Sequence, residues 1–253
     1  MALLPVGGSI QAGSVRTQSE ATSSADVDAS GERAGAAVPT TDGGVVLAVS
    51  DVSKRFHAGA PWHRRRIDVL DGLSLEVRAG ELVGLVGENG SGKSTLMQVI
   101  VGLVGRDTGS IDRPERVGYC PQLPLVWDKL TVAEHFSLFA TAYSMSEAEG
   151  KAAAGSMLDE LQFSRYSGYR VEQLSGGTRQ KLNLALAMMH EPQLLLLDEP
   201  YSGFDWETYL KFWEMSARRR DQGMGILIVS HLLAERERLD RVYELRDGKA
   251  EQL

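Results

Sequence analysis

An α/β fold built around a parallel sheet is predicted for this chain from three observations. Glu81 to Val86 is a short apolar run that leads directly into Gly87-Glu88-Asn89-Gly90-Ser91-Gly92-Lys93-Ser94-Thr95, and an apolar helical run, Leu96 to Val104, comes after it. Gln193 to Leu197 is continuously apolar, as expected of a central parallel strand buried on both faces, and it ends in Asp198-Glu199-Pro200. Between these two segments, after Gln122, apolar residues recur at helical spacing.

The stretch to about Gly44 is rich in Ser, Ala, Gly and Thr and shows no helical or strand period. It cannot bury enough apolar surface to offset its ordering entropy, so residues 1–44 are expected to be a disordered tail. Val45 to Phe56 and Val69 to Val77 alternate like half-exposed strands. The loop between them carries Pro61-Trp62-His63-Arg64-Arg65-Arg66, which reads as a solvated hairpin loop; a headgroup or nucleic-acid patch is the alternative. Thr131-Val132-Ala133-Glu134 suggests a capping box, with Val132, Phe136 and Phe139 at helical spacing behind it. Ser146 and Glu149 open another helix whose apolar face holds Met157, Leu158 and Leu161. Ser175 caps a helix running to about His190. Gly225 to Val229 is a further apolar run, closed by Ser230 and His231.

Composition limits the setting. The chain has 253 residues, enough for one sizeable α/β domain and a small subdomain. No apolar run approaches the ~18 to 20 residues that cross a bilayer. The first five residues lack a basic flank and do not read as a secretion signal. A formal charge of −7 offers no general attraction to nucleic acid or anionic lipid, and no nucleic-acid partner is expected. Cys120 is the single cysteine, consistent with a reducing cytoplasm; its reading is a small buried strand residue rather than a redox group.

The glycine loop carries the first chemistry. Its spacing matches G-x-x-x-x-G-K-[ST], with a strand before it and a helix after it. Gly87, Gly90 and Gly92, with Asn89 between them, let backbone N–H groups converge on phosphate oxygens without a Cβ in the way. The helix beginning near Gly92 adds its positive end, Lys93 supplies a point charge for the β- and γ-phosphates, and Ser94 offers a hydroxyl to Mg²⁺, with Thr95 completing the loop. Asp198 stands at a strand's carboxyl end, where α/β sheets bind ligands, as a Mg²⁺ partner. Glu199 is placed to polarise an attacking water. ATP and Mg²⁺ are therefore expected.

Between these two elements lies Leu174-Ser175-Gly176-Gly177-Thr178, present once. This segment resembles the signature of the ATP-binding cassette (ABC) family, and the resemblance covers the chain from Val45 to its end. It implies a P-loop ABC ATPase core with a parallel sheet, an N-terminal antiparallel β subdomain and an inserted helical subdomain at about 123–189. Four more positions match: Phe56 as the aromatic stacked on adenine, Gln122 as the Q-loop contact to Mg²⁺ and water, Ser202-Gly203-Phe204-Asp205 as the D-loop, and His231 as the switch histidine on the γ-phosphate. Each alone is an ordinary strand or loop residue; their order in one pass carries the resemblance.

By that resemblance Ser175, Gly176 and Gly177 meet a γ-phosphate held by an opposing cassette, so a homodimer or a heterodimer with a paralogue is implied. A separate membrane-spanning permease is the implied partner, docking near Pro124, Leu125, Val126 and Trp127, although Trp127 also reads as core. The implied location is the cytoplasmic face of the membrane, peripherally. The segments Gly118 to Gln122 and Thr131 to His135 look more like exporter than importer ATPases. Alternatives are a soluble ABC ATPase acting on ribosomes or DNA, and a regulatory cassette without turnover, which intact Glu199 opposes. Three positions depart from the family's pattern: Thr178 where Gln is commonest, Tyr201 where Thr is usual, and Trp206 where Pro is usual.

Overall fold

A computed structural model describes residues 44–59, 65–230 and 233–253. The tail expected to be disordered lies, apart from Gly44, outside the described residues, as do Pro61 to Arg64 and His231.

The central sheet grows from the apolar runs. Strands β3 (Leu82–Val86), β5 (Val117–Cys120), β6 (Leu194–Asp198), β7 (Gly225–Val229), β8 (Arg241–Arg246) and β9 (Lys249–Gln252) align in the order β5-β6-β7-β3-β8-β9. All pairs are parallel except β8 with β9. Every residue of β6 and β7 is buried, which is why their sequences show no alternation. The period of two is still present in where the side chains go. Leu194, Leu196, Leu227 and Val229 join one core with Leu96, Met97 and Ile100. Leu195, Leu197, Ile226 and Ile228 join the other with Leu182, Phe212 and Trp213. Each buried Leu or Ile stabilises the fold by roughly 1.5–3 kcal/mol, so these strands anchor everything at their ends.

The second sheet is antiparallel, with β1 (Val45–Ala58) between β2 (Arg65–Arg78) and β4 (Thr108–Asp112). Both β1 and β2 are longer than expected. Arg65 and Arg66 belong to the strand rather than the loop, and two guanidinium groups converge on Asp68: Arg55 from across the ladder at 3.0 Å and Arg66 from two residues earlier on the same strand at 2.9 Å. Cross-strand ion pairs of this kind let a polar ribbon persist.

Helix α1 (Lys93–Val101) stops short of Val104 because Gly102 turns left-handed, φ 83°, and its N–H bonds back to Val99 and Gln98. Helices α2 (Val132–Ala142) and α3 (Glu147–Glu160) both begin with complete capping boxes, on Thr131 with Glu134 and on Ser146 with Glu149. Helix α4 (Gly176–Met188) ends two residues before His190, as the chain turns through Glu191 into Pro192. Helix α5 (Trp206–Asp221) is capped by Asp205, whose Oδ1 accepts the Thr208 N–H at 2.8 Å. No helix of the described residues is long and apolar enough to cross a membrane.

Burial of His190 gives stability a pH dependence. Its ring stacks on Tyr143 with centroids 3.8 Å apart, and burial lowers its pKa to about 4, against a backbone bond at Val117 that raises it. The unfolded chain therefore takes up this proton first as pH falls. The contribution is fully present above the ordinary histidine pKa of about 6.5 and is lost progressively toward pH 4. Urea unfolding should show about 2 kcal/mol less stability from this group at pH 5 than at pH 7.5. Replacing His190 by Gln should flatten the profile by that amount; an unchanged profile would rule out His190 as its source.

Candidate nucleotide site

The phosphate loop begins where β3 ends. Gly87 has φ 147°, and a Cβ there would stand 2.5 Å from the Leu245 carbonyl oxygen, so no side chain fits. Lys93 folds back over the loop, and its Nζ donates to the carbonyls of Gly87 at 2.7 Å and Glu88 at 2.8 Å. It is only 6% exposed. Burial pulls its pKa down, while the charges of Glu199 and Asp198 push it back up. Those two carboxylates are thus within electrostatic reach of the ammonium. No acidic residue sits in the first turn of α1, and Gly92 provides no side-chain cap, so the helix's positive end is not offset by its own first-turn side chains. An anion placed here meets N–H donors, and Lys93 can exchange its carbonyl partners for phosphate oxygens.

Strand β6 delivers the acidic pair. Asp198 is 2% exposed at its last position. Glu199 comes next with φ 49° and is half-buried, and its N–H reaches the Val229 carbonyl at 3.3 Å. A left-handed glutamate costs roughly 1–3 kcal/mol, and the neighbouring parallel strands hold it there. Gln122 lies two residues beyond β5, which pairs with β6 through Cys120 and Leu197, and its side chain is exposed. The backbone just before it is tied to α4: Asn183 Nδ2 donates to the Pro121 carbonyl at 2.8 Å and lies 3.2 Å from Cys120 Sγ. Cys120 is fully buried and burial holds its thiol well above its ordinary pKa, in keeping with a structural strand residue.

The Leu174–Thr178 segment forms the start of α4. Ser175 and Gly176 are exposed, and the Ser175 hydroxyl accepts the Thr178 N–H at 3.2 Å. Thr178 turns inward instead of reaching out, with its Oγ1 2.9 Å from Ser175 Oγ. A Cβ on Gly177 would come within 2.4 Å of the Gly203 carbonyl, so this helix start packs directly on the loop Ser202–Asp205. Among the described residues no hydrogen bond or ion pair joins residues 175–177 to residues 87–95.

The remaining positions divide. Phe56 is 39% exposed on β1 with Lys54 Nζ 5.3 Å from its ring centre, so it is not a core residue. Trp127 is not core either; it is partly exposed and stacks on His135 at 5.7 Å. Leu123 and Leu125 are exposed beside it. Trp206 is 71% exposed and stacks on Tyr209 at 5.4 Å. Tyr201 goes the other way, its ring packed near Phe212 and Trp213 and its hydroxyl on Glu235 and Ser230. Sequence reasoning missed Asn183 and Glu235. Glu235 sits in the charged run Glu235-Arg236-Glu237-Arg238, which reads as solvated surface, and no sequence signal marks it as buried.

The fold and this site together define an α/β nucleotide-binding domain of the phosphate-loop kind. Within that class the chain belongs to the ABC transporter family, whose model matches residues 70–202. Nod factor export ATP-binding protein I of Rhizobium meliloti is 37% identical over 194 residues, covering 72% of this chain and 58% of the relative. An uncharacterized ABC transporter ATP-binding protein of Methanocaldococcus jannaschii is 32% identical over 183 residues, covering 72% of this chain and 70% of the relative. Against the first of these the chain spans about three fifths of the relative's length. The solved structure of an ATP-binding subunit of an ABC transporter superposes with a TM-score of 0.72 at 30% identity, over 81% of this chain and 88% of that one. A dimeric post-hydrolysis cassette bound to ADP and Pi shares the fold, with a TM-score of 0.73 at 24% identity over 81% of this chain and 96% of that one.

Proposed function

We propose that this chain is the ATP-hydrolysing subunit of an ABC exporter, working as a cassette dimer on the cytoplasmic face of a membrane beneath a separate membrane-spanning partner. The observation that carries the proposal is the convergence of Lys93, Asp198 and Glu199 at the phosphate loop, on a chain similar to proteins named for Nod factor export. Residues 45–253 are taken as the cassette, with 123–189 as its helical subdomain.

In this reading ATP lies along the loop. Phe56 stacks on adenine, the backbone from Gly87 through Asn89, Gly90 and Gly92 cradles the phosphates, and Lys93 pairs with the β- and γ-oxygens. Ser94 and Thr95 open the helix beneath them. The buried carboxylate of Asp198 and the half-buried Ser94 are hard oxygen donors that fit Mg²⁺, with Gln122 as a further contact from β5. When bound, that ion screens the charge on the phosphates. Glu199 orients water for in-line attack, and His231, two residues after β7 in the sequence, is the proposed contact to the γ-phosphate. The exposed start of α4, at Ser175, Gly176 and Gly177, completes the site of the opposing cassette.

The γ-phosphate is gripped from both sides only when two cassettes close, so its loss removes the differential binding that holds them together. The exposed Leu123, Leu125 and Trp127 lie where the permease docks in this reading, and the partner selects the cargo. Affinity capture of the chain from detergent-solubilised membranes should recover a multi-span permease. Recovery with ribosomes or DNA and no permease would overturn the exporter reading in favour of a soluble ABC ATPase.

A further inference from the structure

A buried carboxylate outside the phosphate chemistry ties the segment that follows Glu199 to the end of β7. Glu235, in the 3₁₀ turn Leu233–Arg238, is 1% exposed. Its Oε2 accepts the hydroxyl of Tyr201 at 2.6 Å and that of Ser230 at 2.5 Å, and its Oε1 accepts the hydroxyl of Tyr209 at 2.9 Å. Tyr201 Oη and Ser230 Oγ are 2.9 Å apart because both meet the same carboxylate oxygen. Three hydroxyl protons pointing at two oxygens suit a carboxylate and nothing else of that shape, since an amide offers one acceptor oxygen.

The placement of the donors gives the arrangement its meaning. Tyr201 stands two residues after Glu199, and Ser230 stands immediately before His231. Tyr209 belongs to α5, which packs against β3 and β7. The aromatic neighbours of Tyr201, with Tyr209 at 5.5 Å and Phe212 at 5.6 Å, leave its ring little freedom to reach another acceptor. Tyr201 is also one of the three departures from the family's pattern, so this chain has put a phenol where a shorter hydroxyl is usual.

We propose that Glu235 is a positioning residue for hydrolysis: by holding Tyr201 and Ser230 it fixes the backbone that carries Glu199 against the end of β7. This inference rests on the proposed ATPase reading. It predicts an asymmetry between two variants that each remove one hydroxyl from the same carboxylate. Tyr201→Phe, measured in the full chain, should lower kcat for ATP about tenfold with KM little changed, because water-positioning geometry loosens while nucleotide contacts stay. Glu235→Gln should lower kcat at least as far. Tyr209→Phe, whose hydroxyl ties α5 rather than the reacting segments, should keep kcat within about twofold. Hydrogen exchange supplies a readout free of turnover: amides at 199–203 and 229–230 should exchange about tenfold faster in Tyr201→Phe and Glu235→Gln, but not in Tyr209→Phe. Equal loss of kcat in both tyrosine variants, or faster exchange with kcat unchanged, overturns the positioning role and leaves Glu235 a core contact. Unchanged exchange in Glu235→Gln overturns the tie itself. A wild-type chain that hydrolyses no ATP sinks the ATPase reading instead, while exchange still decides whether Glu235 joins the two segments.

Discussion

Replacing Glu199 by Gln should lower phosphate release about 10²–10³-fold while ATP still binds, and should convert the chain into a dimer that persists in ATP. The reason is geometric. Glu199 is carried one residue beyond a fully buried strand, in a left-handed conformation that glutamate does not choose unaided. Its charge is felt by Lys93, so the carboxylate lies within electrostatic reach of the phosphate loop. Glutamine keeps the shape and the strained backbone but cannot draw a proton from water. The γ-phosphate then stays in place, and with it the contacts that hold two cassettes closed. Phosphate release and light scattering, with and without ATP, check the two halves of the expectation. Turnover at the wild-type rate would show that Glu199 does not orient the water.

The parts of this site that were legible in the sequence are those where chemistry needs a fixed spacing along the chain. Gly87 to Thr95 and Leu194 to Glu199 are such segments, because the residues that meet phosphate or metal sit directly at the end of a buried strand. The capping boxes at Thr131 and Ser146 were legible for the same local reason. Contacts made across the fold were not. Helix α5 carries Trp206, Glu207, Lys211 and Arg218 to Arg220 around its apolar Phe212, Trp213 and Met215, so its period is blurred by charge. Strand β4 is polar and exposed at nearly every position and exists because β1 offers it an edge. Asn183 reads as one more polar residue on a helix until its amide is seen at the Pro121 carbonyl. Thr178 and Tyr201, where the family resemblance is weakest, both turn inward and find hydrogen-bond partners, the Ser175 hydroxyl and the Glu235 carboxylate, so their departures are absorbed by packing rather than displayed at the surface. Trp206 is the exception and remains exposed.

Two inactive variants should restore activity when mixed, and this tests the claim that the Ser175–Gly177 segment serves a site on another polypeptide. Gly176→Asp is the suitable change in that segment. A Cβ at Gly176 meets nothing within 4 Å, and an acidic residue in the first turn of α4 is locally favourable, so the variant should fold normally. Its carboxylate would face an incoming γ-phosphate and repel it. Gly177 is unsuitable because its Cβ would strike the Gly203 carbonyl of its own chain. The partner variant is Lys93→Met, which keeps the buried stem of the side chain and removes its charge. Each alone should lose about 10²–10³-fold in turnover as a homodimer. In a mixed dimer, one site collects both defects and the other collects neither, since the intact loop of one chain meets the intact segment of its neighbour. Random pairing of equal amounts should therefore recover about a quarter of the wild-type rate per chain, with the two sites acting independently. Recovery on that scale requires a homodimer whose sites are shared between chains. With no recovery, the homodimer with independently acting sites shared between chains fails.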